Sequence, residues 1–145
     1  PEYKGRDGCR TPMPWSDSAA HAGFSSVDPW LPVPADHAMR AVSAQTNDPK
    51  SVLARVRRFL AWRSRSAALR KGSIRFLDMP EPVLAFVREE GDEAILCAFN
   101  LGPEPVSMPI GDLIQPSAME GHGFAGRVQD GTLRLDGYDA GFFRI

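Results

Sequence analysis

The opening of the sequence concentrates the side chains best suited to chemistry. Lys4, Gly5, Arg6, Asp7, Gly8, Cys9 and Arg10 run directly into Thr11-Pro12-Met13-Pro14-Trp15. Two guanidiniums offer planar forks of donors that suit hydroxyls and carboxylates. Trp15 offers a ring on which a sugar face or a neighbouring side chain can rest. Glycines loosen the backbone at one end of the run, and prolines stiffen it at the other. A ligand-contacting loop fits this pattern. An internal Arg6–Asp7 ion pair that merely holds an irregular loop fits it equally well, and residue type alone leaves both readings open. Cys9 lies beside Arg10 and near Arg6, cations of the kind that activate a thiol. A packed thiol in a fixed loop is the plainer expectation.

Other chemistries lack their residues. His21, His37 and His122 are scattered, with no acid or cysteine at ligand spacing, so no metal site and no cofactor are expected. There is no Gly-x-Ser-x-Gly elbow, no phosphate-cradling glycine loop, and no sequence pair of carboxylates that announces an acid–base couple. Cys9 and Cys97 are too few for a disulfide framework. They read as free thiols in a reducing compartment, with Cys97 buried as a small hydrophobe, and this places the protein in the cytoplasm.

These side chains need elements to position them. With 43% hydrophobic and 24% charged residues the chain has the balance of a soluble globular protein. A formal net charge of −1 argues against a nucleic-acid partner, and no apolar run is long enough to cross a bilayer. The first residue is Pro1 rather than Met, so the opening carries no information about export. Six of the thirteen prolines fall within residues 1–47, together with Trp15, Phe24 and Trp30. Such a segment is too broken for regular elements and too apolar for a disordered linker, which suits an irregular stretch pressed against a larger body.

Residues 48–72 read as a helix whose apolar pattern fades near Arg63 to Ser66. Asp48 is placed as an N-cap with Pro49 at the first helical position, and Gly72 as a stop. Val52, Leu53, Val56, Phe59 and Leu60 fall on one stripe, expected to be buried as a whole. Eight Lys and Arg residues and no acid lie between Lys50 and Lys71, which we take as a solvated outer face. From Ser73 the period becomes that of strands, over 74–77, 83–89, 94–100, 106–110, 127–129, 132–135 and 141–145. Tight turns are expected at 90–93 and at Asp130-Gly131. The fold class is therefore mainly β, an antiparallel sheet or small sandwich over 73–145.

The polar run also carries a resemblance. Gly5 to Trp15, with Arg10-Thr11-Pro12-Met13 at its centre, resembles the segment that follows the last barrel strand in bacterial α-glucosidases and oligo-1,6-glucosidases of glycoside hydrolase family 13, the α-amylase superfamily. The likeness continues through His21-Ala22-Gly23-Phe24-Ser25, Pro29-Trp30-Leu31-Pro32-Val33, Arg57 to Arg63, Ala68 to Gly72, Val83 to Arg88 and Leu96 to Gly102. Pro14 stands where many relatives carry Gln. The resemblance implies a loop after barrel strand eight over 1–47, the final helix of a (β/α)8 barrel over 48–72, and the β-sandwich called domain C over 73–145. It implies an α-glucoside or oligosaccharide substrate, with Arg10 reaching the non-reducing-end glucose and Arg6 beside it. The family's catalytic carboxylates match nothing in this chain, so the chain is expected to be the inactive C-terminal part of a retaining α-glucosidase whose remaining barrel is its partner. The alternative is a stand-alone carbohydrate-binding or protein-interaction module built on the sandwich, with Trp15, Trp30 or Trp62 as platforms.

Overall fold

Strand alternation decides the architecture of the second half of the chain. The computed structural model describes residues 5–111 and 116–145; Pro1 and Lys4, named above, lie outside the described residues. Strands β1 (Ser73–Leu77), β2 (Val83–Glu90), β3 (Glu93–Asn100), β5 (Ser117–Ala118) and β8 (Ala140–Arg144) form one sheet in the order β1-β2-β3-β8-β5. Strands β4 (Val106–Pro109), β6 (Arg127–Gln129) and β7 (Thr132–Leu135) form a second, in the order β4-β7-β6. All pairs are antiparallel. Val83, Ala85 and Val87 alternate inward on β2 and meet Leu96, Ala98, Phe143, Leu133 and Leu135 in a buried core shared by both sheets. This is the antiparallel sandwich that the strand pattern predicts.

Turn chemistry fixes the register. The β2–β3 hairpin closes with Glu90 opposite Glu93, leaving Gly91 and Asp92 as its loop, and Gly91 has φ +57°. The β6–β7 hairpin closes with Gln129 opposite Thr132, and Asp130 and Gly131 take φ +50° and +68°. Two successive positive φ values are what a tight primed turn demands. The two-residue strand β5 was not expected, because so short a pairing leaves no alternation to read.

The expected single helix is two. Helix α2 runs Val52–Arg63 and α3 runs Ala67–Lys71, after the short α1 at Val42–Thr46. Ser51 rather than Asp48 caps α2, its Oγ accepting the Ala54 N–H at 3.1 Å. Asp48 instead accepts the Lys50 N–H at 2.8 Å, in the turn before the helix. The break after Arg63 is enforced by a second cap. Ser66 is extended, and its Oγ accepts the Leu69 N–H at 3.0 Å while Glu93 Oε2 accepts the Ala68 N–H at 2.9 Å. The Ala68 hydrogen bond leads the effects that hold the Glu93 carboxyl below its ordinary range.

The apolar stripe of α2 also divides. Phe59 packs with Trp62 against Ile95, Cys97 and Phe142, on the face of the larger sheet that points away from the sandwich core. Val52, Val56 and Leu60 stay exposed, so the stripe is not buried as a whole. Cys97 is buried and free, and burial pushes its thiol up to about 12. By contact the chain forms two compact units, Pro1–Arg57 and Arg58–Ile145.

His122 is buried beside these rings, 5.1 Å from Trp62 and 5.0 Å from Phe142 by centroid. Its Nε2 lies 2.6 Å from the Met119 carbonyl, and its Nδ1 accepts the Phe124 N–H at 3.1 Å. That pair of contacts fits the neutral ring protonated on Nε2. Burial is the leading effect and pulls its pKa below the ordinary 6.5. Between that lowered value and 6.5 the unfolded chain holds more protons than the folded one, so stability falls as pH drops through this window. Denaturant midpoints measured between about pH 8 and pH 5 should therefore decline, and the decline should be shallower in His122→Gln. An unchanged slope in the variant would remove His122 from the account.

Candidate functional site

The polar run folds into one short turn with an anchored base. Residues Asp7–Cys9 form a single 3-10 turn. The Arg6 carbonyl accepts both the Cys9 N–H at 3.1 Å and the Cys9 thiol at 3.0 Å, and the Arg10 N–H reaches the Asp7 carbonyl at 3.0 Å. Arg6 and Arg10 therefore flank this turn on either side, both exposed. Among the described residues no ion pair joins Arg6 to Asp7, so the scaffold pairing weighed from the sequence is not formed. Cys9 is exposed rather than packed. The loop is held by its own backbone hydrogen bonds, and among the described residues no ion pair engages the two guanidiniums.

Below the turn, Thr11 to Trp15 runs to a base whose partners come from two other segments. Pro12 is buried. The Pro14 and Trp15 carbonyls accept the Val42 and Ser43 N–H groups, each at 3.0 Å, at the start of α1. The Trp15 and Ser16 N–H groups both donate to the Ala22 carbonyl at 2.9 Å. Reaching that carbonyl requires left-handed backbone at His21, Ala22 and Gly23, with φ of 50°, 54° and 69°. At Gly23 a side chain would also stand 3.2 Å from Ser16 Cβ, so glycine is the residue that fits. Asp17 and Ser43 complete the base, the serine Oγ accepting the Asp17 N–H and donating to Asp17 Oδ1, both at 3.0 Å. His21 also has an acid near it, Asp28 Oδ1 at 3.5 Å. The Asp17–Ser43 clamp escaped the sequence reading because its partners are 26 residues apart.

The arrangement offers hydrogen-bond donors and rings on which a polar ligand could rest. It presents two exposed guanidiniums on an anchored loop, with Trp15 half-exposed and Trp30 98% exposed in the same unit. Trp62, by contrast, is packed on Phe59 and Phe142 and is no open platform. Among the described residues no group of three or more His, Cys, Asp and Glu side chains is placed to hold a metal ion. None of the described helices is long and apolar enough to cross a membrane.

Comparison with known proteins supplies the context. The family model described as the α-amylase catalytic domain matches residues 1–72. The chain is 43% identical over its whole length to a probable α-glucosidase of Rhizobium meliloti, covering 26% of that protein. It is 32% identical over 73% of its length to a glucan 1,6-α-glucosidase of Streptococcus pneumoniae, covering 20% of that one. The crystal structure of an α-glucosyl transfer enzyme, XgtA, superposes on 99% of the chain with a TM-score of 0.90 and 46% identity, using 27% of its own length. The chain thus spans about a quarter of the length of these relatives, and in the solved structures it corresponds to their C-terminal region. Its sandwich, its irregular arginine loop and these likenesses together make it a member of the α-amylase family of glycoside hydrolases.

Proposed function

We propose that this chain is the C-terminal part of a longer α-glucosidase that removes terminal α-linked glucose, and that it contributes one side of the glucose-binding subsite. The observation that carries this is the 43% identity along the whole chain to a protein named as a probable α-glucosidase, of which the match covers 26%. In this reading residues 1–47 form the loop after barrel strand eight, 48–72 close the barrel and 73–145 are domain C. The end of the catalytic-domain match at residue 72, immediately before β1 begins, supports that division. Active sites of such barrels sit on the loops at the C-terminal ends of the strands, where the first segment would belong.

Arg10 donates to hydroxyls of the non-reducing-end glucose, and Arg6 either touches the sugar or steadies the turn. The nucleophile and the general acid lie in the polypeptide that precedes this chain, which is inactive without them. Two unpaired cysteines support a reducing, cytoplasmic setting. Proton NMR of the first glucose released by the whole enzyme tests the reaction class. Retention predicts α-glucose as the initial product, and β-glucose would contradict it.

A second reading, transfer of glucose to another sugar rather than to water, is favoured by the 46% identity to a structure named as an α-glucosyl transfer enzyme. Both reactions use the same donor subsite and a covalent glucosyl intermediate. They separate by product. Disaccharide or trisaccharide accumulating at high substrate concentration marks transfer, and free glucose alone marks hydrolysis.

A further inference from the structure

The sandwich unit holds a polar hollow of about 330 Å³ at the corner where α2 gives way to α3. Arg65 comes from that corner, Arg144 and Ser117 from paired positions on β8 and β5, and Glu93 from the start of β3. Met119 and Glu120 follow β5 and close the other side. Glu93 is held in place, because its Oε2 accepts the Ala68 N–H at 2.9 Å. Arg65, Arg144 and Glu120 are exposed, and among the described residues no ion pair engages them. A second hollow shares Glu93 and Arg144 and continues past them to Asp92 and Ile145, so the groove is open-ended. The reaction proposed above uses none of these side chains.

We propose that this groove binds an α-linked oligosaccharide at a site sharing no residue with the Arg6–Arg10 turn, and the choice of sugar rests on the α-glucosidase reading above. The charges select the ligand class. Arg65 and Arg144 stand with Glu93 and Glu120, so an anion would meet two acids and a cation would meet two guanidiniums. A neutral polyol meets no like charge, and its hydroxyls use guanidinium donors and carboxylate acceptors together. A sugar ring also needs apolar surface for its C–H face. Met119 supplies it, with the part of Trp62 that packing on Phe59 and Phe142 leaves open. The volume falls at the lower end of small-molecule sites, roughly 300–1,000 Å³. The open end toward Asp92 leaves room for further rings, which favours a chain of sugars over free glucose.

Equilibrium dialysis of the native full-length enzyme against labelled methyl 4-thio-α-maltoside, whose sulfur bridge resists hydrolysis, counts the bound equivalents. Wild type should bind one equivalent more than Arg144→Gln, which loses a guanidinium. It should also bind one more than Ser117→Trp, which fills the hollow from an exposed position. A melting curve for each variant certifies its fold. A count that stays at the wild-type value in either folded variant overturns the proposal. Displacement of the extra equivalent by inorganic phosphate as readily as by maltose also overturns it, since the groove would then be an anion site. Turnover of an α-glucoside by the same preparation separates the two claims. An active enzyme whose count does not fall defeats only the groove. A preparation without turnover that still loses one equivalent in each variant defeats the α-glucosidase reading and leaves the groove standing.

Discussion

Replacing Arg10 by alanine in the full-length enzyme should lower kcat/KM for an α-linked glucoside roughly a hundredfold, with thermal stability almost unchanged. The magnitude follows from losing a charge-assisted hydrogen bond to the sugar, about 1.5–3 kcal/mol, or roughly ten- to 150-fold. The indifference of stability follows from structure. The Arg10 side chain is exposed, and its backbone N–H, which a substitution keeps, makes the bond to Asp7 that closes the turn. Arg10→Lys should recover only part of the loss, because an ammonium cannot reproduce the planar fork. Arg6→Ala should cost less, about tenfold, through a weaker contact or a loosened turn. Steady-state kinetics beside a melting curve checks all three. A variant that loses stability and activity in parallel would return Arg10 to a scaffolding role.

Asn100→Leu should destabilise the sandwich by about 3–5 kcal/mol, which is enough to unfold many domains. Asn100 ends β3 and is 2% exposed. Its Nδ2 donates to the Glu104 carbonyl at 2.7 Å and to the Asp136 carbonyl at 2.9 Å, and its Oδ1 accepts the Gly102 N–H at 3.0 Å. One amide thus ties the loop after β3 to the loop before β8. Leucine fills similar space but leaves the Gly102 N–H and the Glu104 carbonyl without partners and the Asp136 carbonyl with only the Asp139 N–H at 3.3 Å, and unpaired groups cost more than the bonds themselves gain. Denaturant unfolding of wild type and variant measures the difference. A loss within about 1 kcal/mol would show that water or relaxation satisfies those groups.

The sandwich was legible because its signals are local. Alternating Val83, Ala85 and Val87 announces a half-buried strand, and Asp130-Gly131 announces its turn, each within a few residues. What escaped was set by contacts distant in sequence. The break between α2 and α3 depends on Glu93 reaching Ala68, 25 residues away, and no helical periodicity encodes that. The same holds for Asp17 and Ser43, which anchor the arginine loop. Arg6 and Arg10 are legible as donors by type, and their role as sugar contacts is what the resemblance implies and what we propose. Their freedom from Asp7 was not legible, since neighbours in sequence look equally able to pair. The α2 stripe was correctly read as apolar and wrongly read as buried throughout. Periodicity reports which side chains avoid water, and what covers Val52, Val56 and Leu60 is a separate question.

We propose that these residues are the C-terminal part of a larger α-glucoside-processing enzyme. An antibody raised against this chain, used on an extract of the source cell, tests it most directly. The expected result is a native band several times heavier than this chain that copurifies with α-glucoside turnover, since the proposed enzyme would carry most of a barrel of roughly 250 residues ahead of it. A single native band at the size of this chain, separating cleanly from that activity, would contradict it.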